Sequence, residues 1–183
     1  MKTPSARYIL IAGFLLTMTA CAASRAHEAT GEYVDDAAIT AKVKTMLVAN
    51  PITEAHQIEV ETFRGVVQLS GFVESEHERD VAEQVALGVG GVRSVHDNLA
   101  LRAAHRSAGE VLDDGVITTR VKTALIENPV TKAHEINVVT SQGTVQLSGF
   151  VDSANEMSEA TAVARAVPGV RGVQNALEMK PAP

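Results

Sequence analysis

His56 and His134 are the residues best suited to chemistry at matched places in the chain. They close the segments NPITEAH and NPVTKAH. Imidazole is a metal ligand and a base near neutral pH. A metal site, however, needs three or four donors held together, and no second donor recurs beside either histidine. Both therefore read as loop or cap residues. The acidic run Glu74, Glu76, Glu78, Asp80 and Glu83 offers carboxylates, but its later counterpart keeps only Asp152, Glu156 and Glu159. It reads as the solvated start of a helix. The sequence lacks a Gly-rich phosphate loop, a nucleophile elbow and paired cysteines. No nucleophile–base or metal constellation can be assembled, so the expectation is a protein without catalytic residues, metal or cofactor.

One residue carries a different kind of chemistry. Cys21 is the single cysteine of the 183 residues, so no intrachain disulfide can form. Ahead of it stand a basic start, Lys2 and Arg7, and the apolar run Tyr8 to Leu16. That run is too short for a comfortable membrane span, and the order is that of a secretory signal peptide. Met18-Thr19-Ala20-Cys21 reads as a bacterial lipobox, with Met18 where leucine is usual. On that reading residues 1–20 are removed and Cys21, lipidated, becomes the mature N-terminus. An ordinary cut at Ala20-Cys21-Ala22 is the alternative, and it leaves the lone cysteine without a role. Ala22 follows Cys21 where inner-membrane lipoproteins commonly carry Asp, so the expected location is the outer membrane, facing the periplasm. The soluble periplasm is the alternative.

The elements that would position any site come twice. GVVQLSGFV, Gly65 to Val73, returns as GTVQLSGFV, Gly143 to Val151, and the flanks align without a gap. The sequence therefore predicts one small domain used twice. Its expected divisions are a tether over 21–34, domains over 35–102 and 113–180, and a polar linker over 103–112. In the first copy Asp35-Asp36 stands at an expected helix start. Ile39, Val43, Met46 and Leu47 form one helical face, answered by Ile117, Val121, Ala124 and Leu125. Asn50-Pro51 and Asn128-Pro129 stop these helices. Alternating residues then predict hairpins turning at Arg64-Gly65 and Gln142-Gly143. Gly71 and Gly149 fall in mid-strand and predict a bulge or a helix close above the backbone. Ser75-x-x-Glu78 and Ser153-x-x-Glu156 are capping boxes for a second helix, and a last strand follows. The α-β-β-α-β order predicts an α+β fold. Each copy should be a three-stranded mixed sheet, its third strand parallel to its second, with both helices on one face.

The VQLSGFV strand, the closing segments GVRSV and GVRGV, and this element order resemble BON domains. Two of them behind a lipobox resemble the dual-BON envelope lipoproteins of Gram-negative bacteria. The resemblance covers nearly all of the mature chain. It implies a non-catalytic role in envelope integrity or osmotic-stress tolerance, with anionic phospholipid as partner. A soluble chaperone-like stress protein, or an adaptor for outer-membrane proteins or secretion machinery, is the alternative. The net charge of −6 argues against nucleic acid, which needs a basic surface. Residues 36–102 hold six basic and ten acidic residues, net −4, and residues 114–180 hold six and seven, net −1. The second copy is the one less repelled by anionic headgroups. The resemblance also implies that its first helix faces the membrane, with a tryptophan often standing where Val116 stands. Helical geometry leaves Val116, Thr119, Arg120 and Lys122 for the outer face. Val116 lacks the amphipathic ring that favours a bilayer interface, so weak affinity, helped by the lipid anchor, is expected.

Overall fold

The computed structural model describes residues 26–53, 58–102, 108–131 and 135–180, with side chains from residue 35 in the first helix and from residue 113 in the third. Cys21, His56 and His134 lie outside these residues. The first copy contains α1 (Ala26–Ala49), β1 (Ile58–Phe63), β2 (Val66–Val73), α2 (Glu76–Leu87) and β3 (Ser94–Leu101). The second contains α3 (Ala108–Glu127), β4 (Asn137–Ser141), β5 (Thr144–Val151), α4 (Ala154–Ala166) and β6 (Gly172–Met179). Each sheet has three strands with the hairpin's second strand at the centre. The outer pairings are antiparallel for β1–β2 and β4–β5, and parallel for β2–β3 and β5–β6.

Local chemistry explains most boundaries. Arg64 and Gly65 both have positive φ, 50° and 76°, and Gln142 and Gly143 repeat this at 51° and 75°. Such a pair makes the tight turn whose twist suits a hairpin. Ser75 accepts the Glu78 N–H at 3.1 Å, and Glu78 reaches back to accept the Glu74 N–H at 2.9 Å. Ser153 and Glu156 do the same at 3.2 and 3.1 Å. These caps satisfy amide groups that the helix itself leaves open.

The helix starts differ from expectation. α1 begins at Ala26 and α3 at Ala108, so much of the stretch read as a tether, and part of the linker, is helical. Alanine and glutamate are good helix formers, and they recur in both stretches. Asp36 and Asp114 therefore sit inside helices and do other work. Asp36 accepts the turn N–H groups of Arg64 and Gly65, at 2.6 and 2.8 Å. Asp114, only 4% exposed, accepts those of Gln142 and Gly143, both at 2.8 Å. In each copy a carboxylate thus pins the hairpin turn to the first helix.

Both cores are aliphatic and match position for position. Ile39, Val43 and Leu47 meet Val60, Val67, Leu69, Ala82, Ala86 and Leu99. Ile117, Val121 and Leu125 meet Val138, Val145, Leu147, Ala160, Ala164 and Leu177. Met46 departs from the expected stripe. It is 53% exposed, at the edge of the face that Leu47 fills.

The other face of each sheet is covered too. β2 and β5 are buried along almost their whole length on both sides, because the two sheets dock on one another. Ser70 Oγ meets Ser148 Oγ at 2.7 Å. Gln68 accepts the Gly149 N–H at 2.7 Å and donates to the Ala176 carbonyl at 2.7 Å. Gln146 accepts the Gly71 N–H at 2.5 Å and donates to the Asn98 carbonyl at 2.7 Å. The exchange is reciprocal, so a pseudo-twofold axis passes between the serines. Phe63 lies against Phe150, ring centres 5.5 Å apart. Glu61 bonds Asn137 across the same seam. Burial holds its carboxyl above the usual range, Glu59 and Glu135 push the same way, and Asn137 and Lys44 oppose them. A carboxyl raised on folding costs stability once it ionises, so the fold gains from Glu61 as pH falls through that raised value.

Gly71 and Gly149 belong to this seam. Their φ values are 119° and 121°, a region few side chains tolerate. A Cβ at Gly149 would overlap the carbonyl oxygen of Glu135, which is backbone. At Gly149 the close neighbours are the adjoining chain segment and the first domain's glutamine, not a helix.

Candidate functional site

The middle of α3, the Gln142–Gly143 turn and the Pro168–Arg171 turn border an open groove of about 470 Å³. Its walls are tied together. Asp114 joins the helix to the first turn, and the Arg171 N–H donates to the Gly143 carbonyl at 2.8 Å. The Arg171 stem lies on Gly143 so closely that an added Cβ would meet its Cγ at 2.9 Å. Arg171 thereby forms part of the groove lining. Ile117 is buried, whereas Val116 is 48% exposed on the groove side. Arg120 stands one turn along the helix, and Pro168 and Val170 supply further apolar lining. Asp113 is also on the rim. The groove therefore brings two arginines together with a small apolar wall. This can pair with an anionic, partly apolar ligand, since arginine forks suit phosphate and carboxylate oxygens.

Of the four residues expected on the outer face, Val116 and Arg120 line this groove and Thr119 and Lys122 do not. The Thr119 hydroxyl turns back to the Gly115 carbonyl at 2.9 Å. Arg171 was missed by helical spacing because it lies on another element. Its signal was present in the recurring GVR segments. In the first copy Ala38, Lys42 and Gly90 occupy the places of Val116, Arg120 and Pro168. There the apolar wall shrinks and one fork becomes a point charge. Among the described residues, no group of three His, Cys, Asp or Glu could hold a metal, and no helix is long and apolar enough to cross a membrane.

The family model for the BON domain matches residues 35–103 and again 113–181. The chain belongs to the BON family. Its two BON domains share their sequence with several curated proteins. Over 151 residues the chain is 42% identical to osmotically-inducible protein Y of Escherichia coli K12, covering 82% of this chain and 75% of that one. It is 28% identical over 145 residues to the outer membrane lipoprotein DolP of Haemophilus influenzae, covering 79% and 74%. It is 29% identical over 151 residues to a 21 kDa hemolysin of Actinobacillus pleuropneumoniae, covering 81% and 75%.

Proposed function

We propose that the chain is a non-catalytic protein of the cell envelope that supports outer-membrane integrity or stress tolerance, and that its second BON domain docks on anionic phospholipid. The groove beside α3 carries the reading, because it sets Arg120 and Arg171 next to Val116, Pro168 and Val170. Phosphate meets the forks while the apolar residues reach the acyl boundary. The names of the relatives, one induced by osmotic stress and one an outer membrane lipoprotein, agree with this setting.

A soluble form lacking the anchor is expected to bind phosphatidylglycerol vesicles at low salt, and phosphatidylcholine vesicles far less. Binding should fade as ionic strength rises past about 0.1 M, where charges are screened beyond about 10 Å. Arg120→Glu with Arg171→Glu should weaken it at least about tenfold, given about 1 kcal/mol per cation at a membrane surface. Lys122→Glu should matter less. Equal binding by the double variant would defeat the groove assignment.

Cys21 would anchor the protein at the outer membrane, several acyl chains on one residue giving stable attachment where one chain does not. Cys21→Ser is expected to move the protein from the membrane fraction to the soluble periplasm. Unchanged fractionation would overturn the lipidation.

A second reading, binding of unfolded clients or an envelope protein, has one specific observation in its favour. Val48 and Ile126, at equivalent places near the ends of α1 and α3, are 73% and 72% exposed. Ile52 and Val130 repeat the match at 43% and 41%. If vesicles fail to bind, this paired apolar surface becomes the site to test.

A further inference from the structure

The seam between the BON domains has a part that repeats and a part that does not. Ser70, Gln68 and Gly71 are matched by Ser148, Gln146 and Gly149, and their bonds are exchanged symmetrically. Such a surface is self-complementary. On its own it would accept two like domains as readily as two unlike ones. The symmetry breaks where Phe63 meets Phe150 and Glu61 bonds Asn137, whose counterpart positions hold Ser141, Phe72, Val139 and Glu59, and it breaks again at a second corner. Glu178 of β6 takes hydrogen bonds from three donors of the first domain: Gln68 Nε2 at 2.9 Å, Asn98 Nδ2 at 3.2 Å and His96 Nδ1 at 2.5 Å. Its counterpart in β3 is Ala100, and the counterparts of His96 and Asn98 are Gln174 and Ala176.

We propose that this corner is a recognition key. It fits the sheet face of the second domain to that of a first domain, from its own chain or a second copy, and sets it against another second domain. Between two second domains, each Glu178 would meet Gln146, Gln174 and Ala176 in place of Gln68, His96 and Asn98. It would keep a glutamine donor and lose the asparagine and imidazole donors, twice in every pair. A partly buried carboxylate short of donors is costly. Between two first domains, Ala100 would offer no acceptor to His96 or Asn98. Both like pairings are penalised while the unlike pairing is satisfied, and specificity resides in that difference.

The test uses the full chain and amide hydrogen exchange at Gly71 and Gly149, whose N–H groups are held only while the seam is closed. His96→Gln, Asn98→Ala and Ala100→Glu together give the first domain the second domain's corner. Exchange at both glycines is expected to quicken at least about tenfold, with amides bonded inside each sheet unchanged. Adding Gln174→His, Ala176→Asn and Glu178→Ala moves the key across the axis and should restore protection to within about threefold of the original. Unaltered exchange in the triple variant, or no recovery in the sixfold one, would overturn the key. Should the triple variant lose protection throughout, Glu178→Ala alone decides. Faster exchange at the two glycines supports the key, and an unchanged rate defeats it.

Discussion

Gly149→Ala will unfold the second BON domain under conditions where the original chain is fully folded. Three effects act together. The residue has φ of 121°, and a side chain held there costs about 1–3 kcal/mol. The new Cβ overlaps the Glu135 carbonyl oxygen, and a backbone atom just ahead of β4 cannot step aside as a side-chain tip would. Relieving that overlap costs about 1–3 kcal/mol more. Any such shift also draws the N–H away from Gln68, its acceptor across the seam. The total is about 4 kcal/mol, comparable to the whole stability expected of a domain this small. At about 4–8 °C per kcal/mol, the melting temperature should fall by roughly 15–30 °C. Gly115→Ala is the control. It lies in α3, nothing stands within 4 Å of an added Cβ, and alanine favours a helix by about 1 kcal/mol. Thermal unfolding followed by circular dichroism separates the two. A Gly149→Ala protein melting within about 3 °C of the original would refute the argument.

Gln68→Ala combined with Gln146→Ala will separate the domains without unfolding them. Each glutamine is almost fully buried, yet neither belongs to an aliphatic core. Together they satisfy the N–H groups of Gly71 and Gly149 and the carbonyls of Asn98 and Ala176. With both gone, four backbone groups lose their partners in the closed seam, at about 1–3 kcal/mol each. Opening the seam lets water reach them at lower cost. Far-ultraviolet circular dichroism should stay close to the original, while small-angle scattering should show a larger radius of gyration. An unchanged radius would mean that the aromatic pair Phe63–Phe150 and the serines hold the sheets by themselves.

What the sequence disclosed was local. The Arg64-Gly65 and Gln142-Gly143 turns, the Ser75 and Ser153 caps and the aliphatic stripes depend on residues a few places apart, and each was legible. The seam was not. Gln68 and Ser70 alternate with core residues as solvent-facing residues do, and what buries them lies 78 or more positions away in the chain. One trace of it was present. VQLSGFV is identical in both copies, and two diverging cores give no reason to preserve a glutamine and a serine on the opposite face. Docking supplies that reason. The aspartates misled for a similar cause. Two acids before an apolar stripe resemble a helix start, and only the hairpin folded against them reveals their amide partners. In the groove, spacing along one helix found Val116 and Arg120. Arg171 arrives from a turn more than fifty residues later, where helical periodicity carries no information.

The docking of the sheets also decides what the protein can present to its surroundings. Each sheet lies between its own helices and the opposite sheet, so the order of layers is helix, sheet, sheet, helix. Only helices and turns remain at the two broad outer sides, and those sides point in opposite directions. Two stacked sheets stand on the order of 10 Å apart, and the seam bonds hold that spacing. When the α3 side rests on a surface, the α1 side is held away from it and turned toward the open compartment. The seam bonds thus separate the two outward sides, so a ligand met by the first domain's helices would stand at a set distance from one met by the second domain's.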